Sequence, residues 1–139
     1  MNKEVELLQK ENIDNYIEFI ENVFEYKTKY EAIEKLIKKD KVLVIKNKEK
    51  IIASLVLEEC FEAIKNQKYY RLGYFGVLKE YRRMGYAKRL FEEVEKLVKE
   101  NNIKYVELTS GNHRKAAHYF YQSNDFKIKD TTVFVKLYW

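Results

Sequence analysis

The sequence predicts a mixed α/β fold, in which one central sheet carries helices on both faces. The predicted order of elements is β-α-α-β-β-β-α-β-α-β-β. Between residues 69 and 109 a strand, a long helix and a second strand form a β-α-β unit, for which we expect a parallel, right-handed crossover. The chain has 139 residues, and we expect residues 1–139 to form a single domain that can bury a core.

Two amphipathic helices and a strand pair precede the central β-α-β unit. Apolar residues recur at three- and four-residue steps in both predicted helices, as one buried helix face requires. The polar turn 47–50 separates the two apolar runs of the strand pair. The predicted elements are a strand at 4–9, helices at 12–26 and 29–39, strands at 41–46 and 51–58, and a connection at 59–67.

The second half of the chain begins with an apolar, aromatic strand at residues 69–77. The helix that follows has the clearest periodicity of the sequence. Its apolar stripe consists of Ala87, Leu90, Phe91, Val94, Leu97 and Val98. The remaining predicted elements are a strand at 104–109, a helix from 113 to about 123, and a closing strand pair at 126–129 and 132–138.

Composition and charge exclude several classes of protein. No apolar run approaches the roughly 20 residues that span a bilayer, and Met1–Glu6 lacks a signal-peptide core, so we expect a soluble, cytoplasmic protein without a membrane partner. Cys60 is the only cysteine, and His113 and His118 lie on different helix faces, so we expect no disulfide and no metal. The net charge of +5 is carried mainly by lysines that are scattered among glutamates. This pattern favours a solvated surface over a nucleic-acid-binding patch.

A basic loop joins the 69–77 strand to the long helix. Unpaired N–H groups and the positive end of the helix dipole meet there, so the junction is suited to an anion. Gly85 lets a phosphate approach the backbone, and nearby arginines and lysines add positive charge. The alternative is an ordinary helix start, at which Gly85 only eases packing. Neither G-x-x-x-x-G-K-[ST] nor G-x-G-x-x-G occurs here.

Two motifs in the same order resemble one enzyme family. Arg82-x-x-Gly85-x-Ala87 resembles the [QR]-x-x-G-x-[GA] signature of the Gcn5-related N-acetyltransferases (GNAT). About 30 residues later, Ala117, Phe120, Tyr121 and Phe126 match A-x-x-[FL]-Y-x-x-x-G-F, with Asp125 in place of the glycine. The residue pattern of this second segment resembles that of a bacterial branch of the family.

The resemblance implies acetyl-CoA as co-substrate, a primary amine as acceptor and no metal. Pantetheine would pair with the backbone of the 69–77 strand, an N–H near Val77 would polarise the thioester carbonyl, and amides of residues 83–88 would hold the pyrophosphate. Tyr121 matches the tyrosine that gives a proton to the leaving sulfur. The residues expected to bind the cofactor are Phe75, Gly76, Val77, Arg82, Arg83, Met84, Gly85, Tyr86, Ala87, Lys88 and Arg114.

The resemblance leaves the general base open. Some relatives have a glutamate where this chain has Thr109. Glu58, Glu59, Glu107 or a water chain remain as alternatives. Arg114 either contacts the cofactor or is a surface residue.

The identity of the acceptor, and even the activity, also stay open. The acceptor is a small-molecule or peptide amine of unknown identity. The alternative functions are a non-catalytic coenzyme A-binding module of the same fold and, more distantly, a basic nucleic-acid binder. The C-terminal Leu137-Tyr138-Trp139 either pairs with another chain, as in a homodimer, or covers its own sheet.

Overall fold

A computed structural model describes residues 4–138 of the chain. The residues Met1–Lys3 and Trp139, which entered the predictions above, lie outside the described residues. The chain divides into two compact units, the first ending at Leu108 and the second beginning at Thr109.

Over its described residues, 4–108, the first unit is a five-stranded mixed sheet with three α-helices. The sheet order is β1-β2-β3-β4-β5; neighbouring strands are antiparallel except β4 and β5, which are parallel. The predicted fold class and the parallel β-α-β unit are therefore confirmed. The elements are β1 (Val5–Leu7), a 3-10 helix (Lys10–Asn12), α1 (Ile13–Phe24), α2 (Tyr30–Lys39), β2 (Lys41–Asn47), β3 (Lys50–Glu62), β4 (Gln67–Val77), a second 3-10 helix (Lys79–Tyr81), α3 (Tyr86–Glu100) and β5 (Val106–Glu107).

Helices cover both faces of this sheet. Every residue from Ile51 to Leu57 in β3 is buried, which a strand shows only when both of its faces are covered. The neighbouring residues Phe75 and Gly76 identify the two covers, because successive side chains of a strand point to opposite faces. The ring of Phe75 packs edge-on against Phe91 of α3, whereas a side chain at Gly76 would meet Val23 of α1. Thus α1 and α3 lie on opposite faces.

The predicted connection at 59–67 is wrong in most of its length. β3 continues to Glu62 and β4 begins at Gln67, so the two strands form a long hairpin whose last pair is Glu62↔Gln67. Residues 58–62 carry mostly polar side chains and show no alternation of apolar and polar types. Cross-strand pairing with β4 decides their conformation, and that contact is not visible in the local sequence.

Other element boundaries differ by a few residues. Helix α1 ends at Phe24 because Glu25 takes a left-handed conformation (φ 60°) and caps the helix. β5 is limited to Val106–Glu107 instead of 104–109, although the N–H of Lys104 also donates to the carbonyl of Lys68 and the N–H of Tyr70 donates to the carbonyl of Tyr105.

The second unit contains one α-helix among its described residues, α4 (Lys115–Ser123). The closing strands predicted at 126–129 and 132–138 are not formed in residues 126–138. Their apolar side chains are exposed, for example Ile128 and Phe134. A lone two-stranded hairpin is marginal in water, so β-type residues in this segment do not by themselves make a strand pair.

No helix within residues 4–138 is long and apolar enough to cross a membrane. The same residues contain no group of three histidine, cysteine or acidic side chains placed to hold a metal ion.

The glycines of β4 give a test of the packing between the sheet and α1. A Cβ at Gly76 would lie 2.5 Å from Cγ1 of Val23, a stiff, branched side chain. We expect Gly76→Ala to lower the free energy of unfolding by about 1–3 kcal/mol, as overpacking does. Urea unfolding followed by circular dichroism measures this change.

Gly73→Ala is the matched control in the same strand, because a Cβ there would meet nothing within 4 Å. We expect its stability to be unchanged or slightly raised, since alanine restricts the unfolded chain. Equal losses in both variants would contradict the packing described here.

Candidate active site

One edge of β4 lacks a partner strand in the first unit. β4 pairs with β3 as far as Val77, but its pairing with β5 ends at Arg71↔Glu107. Within residues 4–138, the stretch from Leu72 to Val77 thus has β3 as its strand partner and is not paired with β5. An open strand edge presents backbone donors and acceptors to any extended chain of matching length.

A bulge lies within this stretch. The β3–β4 register pairs Ser54 with Gly76 and Val56 with Gly73, so Tyr74 and Phe75 together oppose a single residue of β3. Tyr74 has a φ of 49°, which is uncommon for a residue with a side chain. Bulges of this kind re-aim backbone groups and occur often beside active sites.

The loop after β4 ends in an open helix N-terminus. Gly85 precedes α3 with a φ of 87°, a conformation that glycine adopts without strain. No side chain caps the helix and its first turn contains no acidic residue. The first N–H groups of α3 thus keep their dipole charge for an external anion.

Two contacts fix the loop against the sheet. The Nε of Arg82 donates to the carbonyl oxygen of Val77 at 3.1 Å, and the hydroxyl of Tyr81 accepts from Asn47 Nδ2 at 3.0 Å. The ring of Tyr81 also packs edge-on against Tyr86, the first residue of α3. These contacts leave Arg83, Met84, Gly85 and Lys88 exposed.

A row of charged side chains crosses the sheet where β4 and β5 part. Arg71 of β4 lies between Glu58 of β3 at 3.4 Å and Glu107 of β5 at 3.7 Å. Lys39, at the end of α2, binds the other oxygen of Glu58 at 2.7 Å. That hydrogen bond is the main cause that lowers the pKa of Glu58 and raises the pKa of Lys39. The row therefore lies on the sheet face that α2 covers.

In the second unit, Tyr121 is the most deeply placed residue of α4. It is 7% exposed, and its ring contacts Phe120 and Phe126. Burial raises the pKa of Tyr121, while the charge of Arg114 acts in the opposite direction. At neutral pH the phenol is thus protonated and able to donate a proton.

The turn after α4 has a left-handed residue at the position of the motif's glycine. Asp125, which stands where the family motif has glycine, takes a left-handed conformation with a φ of 70°. Asp tolerates this conformation better than most residues do, so the substitution keeps the turn.

The predicted site residues thus fall into two groups. Phe75, Gly76 and Val77 lie on the open stretch of β4, and residues 82–88 form the loop and the first turn of α3. Arg114 and Tyr121 belong to the second unit. Sequence reasoning missed the bulge and Arg71. Two glycines close together in a strand are a signal for a bulge, but nothing in the sequence singles out Arg71.

A separate concavity of about 230 Å³ opens between α1 and the β2–β3 turn. Its lining includes Glu18, Phe19, Glu49 and Leu78. It contains none of the predicted cofactor-binding residues, so it is distinct from the open edge of β4.

Solved structures with the same fold include proteins of several kinds. A ribosomal-protein-alanine N-acetyltransferase from Brucella melitensis has a TM-score of 0.82 at 12% identity, covering 97% of this chain and 99% of its own. The aminoglycoside 6'-N-acetyltransferase AAC(6')-Ih from Acinetobacter baumannii has a TM-score of 0.82 at 17% identity, covering 99% of both chains. A transcriptional regulator from Bacillus halodurans has a TM-score of 0.83 at 14% identity, covering 99% of this chain and 100% of its own.

A search of curated proteins finds no significant match. The model of the acetyltransferase (GNAT) family matches residues 6–126, which is most of the chain and includes both motifs. The open strand edge and the helix N-terminus are both compatible with this match. The chain belongs to the acetyltransferase (GNAT) family.

Proposed function

We propose that this protein is an acetyl-CoA-dependent N-acetyltransferase that transfers the acetyl group to a primary amine by direct attack on the thioester. The observation that carries the proposal is the open edge of β4 beyond Arg71, which is followed, after the loop 78–85, by the uncapped N-terminus of α3. An extended thioester with a pyrophosphate at one end matches both features of this arrangement.

The residues of the loop fit such a cofactor. The backbone amides from Arg83 to Lys88 would hold the pyrophosphate, with Arg82 and Met84 beside it. Gly85 has nothing within 4 Å of a built Cβ, so a phosphate can reach the backbone there. The pantetheine would bond to the strand at Phe75, Gly76 and Val77, as an added strand does.

The bulge gives a basis for activating the thioester. A backbone N–H aimed at the carbonyl oxygen stabilises the charge that develops there as the amine attacks. We propose that an N–H of the stretch from Tyr74 to Val77 has this role. The turned backbone at Tyr74 supports the proposal, because a regular strand would direct its N–H groups in the plane of the sheet.

Tyr121 is the proposed general acid toward the departing sulfur, and Arg114 a contact for the cofactor. The buried, protonated phenol of Tyr121 suits proton donation at neutral pH. We further propose that both units act together as a single domain that includes residues 1–139.

For the acceptor we propose only a broad chemical class, an amine of a small molecule or of a peptide. Structural neighbours are named for an aminoglycoside and for ribosomal-protein alanine, so amines of small molecules and of peptides are both compatible with this fold. We propose such an amine as the partner in the cytoplasm, without a nucleic acid or a membrane. The exposed Leu137 and Tyr138 are the residues through which a homodimer would form.

A non-catalytic coenzyme A-binding module is the second candidate. Thr109 stands where some relatives have a catalytic glutamate, and a similar fold occurs in a protein named as a transcriptional regulator. Thiol release from acetyl-CoA over a panel of amines separates the candidates. Turnover supports the enzyme, whereas cofactor binding without turnover on any amine supports the module.

Isothermal titration calorimetry tests the cofactor site. We expect wild type to bind acetyl-CoA and Gly85→Glu to lose that binding, because the new carboxylate repels the pyrophosphate and strains a residue at positive φ.

Asn66→Glu is the matched control for this titration. Asn66 also has a positive φ, of 54°, lies in the exposed β3–β4 turn, and undergoes the same change of charge. Binding that is equal in Gly85→Glu and Asn66→Glu would remove the proposed site.

A second test addresses the general acid. We expect Tyr121→Phe to lower kcat by roughly 100-fold or more and to leave the acetyl-CoA affinity unchanged. Tyr119→Phe changes an exposed tyrosine of the same helix and should keep full activity.

The raised pKa of Tyr121 determines how this residue affects the pH dependence of kcat. Because burial raises the pKa of Tyr121 above its ordinary value of about 10, the phenol keeps its proton up to about pH 9. We therefore expect no fall in the kcat of wild type between about pH 7 and pH 9 from this group. Such a fall, present in wild type and absent in Tyr121→Phe, would contradict the raised pKa.

A further inference from the structure

Tyr74 combines a strained backbone with an exposed aromatic ring. Within residues 4–138, seven residues other than glycine have a positive φ, and six of them are polar residues at helix ends or in turns. Tyr74 is the exception, because it is aromatic and lies inside strand β4, with a φ of 49°. Such a conformation is costly for a bulky residue and is found most often at functional positions. The residue is 59% exposed, so packing in the core does not account for it.

The phenol of Tyr74 lies on the side of the sheet that α1 covers. It is close enough to the hydroxyl of Tyr16, a fully buried residue of α1, to interact with it electrostatically. Phe75, the second residue of the bulge, packs on α3 instead. Gly73 and Gly76 lie on the α1 side as well, because their partners in β3 are two residues apart and a side chain at Gly76 would meet α1.

An open surface adjoins the ring on this side. A Cβ at Gly73 would meet nothing within 4 Å, so bare backbone forms a floor next to Tyr74. On the other side of the bulge, Val23 and Phe24 at the end of α1 lie 2.5 Å and 3.4 Å from the Cβ position of Gly76. The floor is therefore bordered by an exposed aromatic ring and, further along the strand, by the apolar end of α1.

This surface lies beside the proposed reaction centre. The thioester carbonyl is proposed to accept from an N–H of the stretch from Tyr74 to Val77. Neighbouring residues of a strand are about 3.3 Å apart, so Tyr74 lies at most about 10 Å from any of these donors. An amine that attacks the carbonyl thus has its substituent within reach of the ring and of the floor at Gly73.

We propose, on the basis of the function proposed above, that Tyr74 determines the specificity for the acceptor, and that the acceptor is a primary amine with a flat apolar group a few bonds from its nitrogen. The flat group lies on the bare backbone at Gly73 and packs against the ring of Tyr74, as aromatic pairs do. A second ammonium group on the acceptor is unfavourable, because it would lose hydration against the apolar end of α1. The bulge has a role in this recognition, since it turns the side chain of Tyr74 out of the regular alternation of the strand.

Two substitutions separate the ring of Tyr74 from its backbone. Tyr74→Gly removes the ring and keeps the positive φ without strain, whereas Tyr74→Phe keeps the ring and removes the hydroxyl. Steady-state kinetics with 2-phenylethylamine, ethylamine and 1,4-diaminobutane measure the specificity. We expect wild type to have its highest kcat/KM with 2-phenylethylamine.

The decisive quantity is the ratio of kcat/KM for 2-phenylethylamine to kcat/KM for ethylamine, in which effects common to both amines cancel. We expect this ratio to fall about 10-fold or more in Tyr74→Gly and to stay within about twofold of wild type in Tyr74→Phe. The loss should appear in KM, because a contact made equally in the ground state and the transition state changes binding alone.

Lys48→Gly is the matched control for the backbone. Lys48 has a φ of 59° in the exposed β2–β3 turn, so glycine relieves a similar strain away from the proposed acceptor surface. This variant should keep the wild-type ratio. Thermal unfolding checks that each variant is folded. Tyr74→Asn, whose new residue also tolerates a positive φ, replaces Tyr74→Gly in the comparison if the glycine variant does not fold.

Three results overturn the role of Tyr74 in specificity. They are an unchanged ratio in Tyr74→Gly, an equal loss of kcat with every amine, and a wild type that prefers ethylamine or 1,4-diaminobutane to 2-phenylethylamine. Each of them leaves the proposed function intact, because wild type still acetylates an amine. A wild-type protein without turnover on any amine contradicts both proposals.

Discussion

The unequal pairing of β4 is the constraint on which the rest of the structure depends. Backbone N–H and C=O groups require partners, and β3 supplies them along one side of β4 as far as Val77. On the other side β5 ends at Glu107, so the strand runs on without it. The main chain of a rigid, buried sheet thereby offers a binding edge, and its position does not depend on flexible side chains.

Packing on both faces holds this edge in place. Phe75 is anchored on Phe91 of α3, and one residue later Gly76 lies against Val23 of α1. The bulge at Tyr74 and Phe75 brings two residues of β4 opposite one of β3. The strained backbone at Tyr74 persists because neighbours on both faces fix the residues around it, as is usual for strain at functional positions.

Features set by local sequence were predictable, and features set by contacts between distant segments were not. The apolar stripe of residues 87–98 predicted the helix α3, and Leu90, Phe91 and Val94 are buried as expected from it. Gly85 marked the loop before this helix. The extended β3–β4 hairpin and the bulge depend on cross-strand pairing, which polar residues such as Glu62 do not reveal. The same limit applies to residues 126–138, whose β-forming side chains form no strand there. Arg71 was missed because an isolated arginine in a strand has no distinctive pattern.

Charge along β4 gives the proposed cofactor a direction. At the loop end, Arg83 and Lys88 are exposed beside the positive end of α3, and the first turn has no acid. At the other end the charges of Lys39, Glu58, Arg71 and Glu107 balance, so this end attracts no polyanion. A strand edge alone would accept an extended chain in either orientation. Because reversed binding would bring phosphates against two carboxylates and leave the cationic loop unmatched, the electrostatic asymmetry favours the orientation that places the proposed pyrophosphate at the loop.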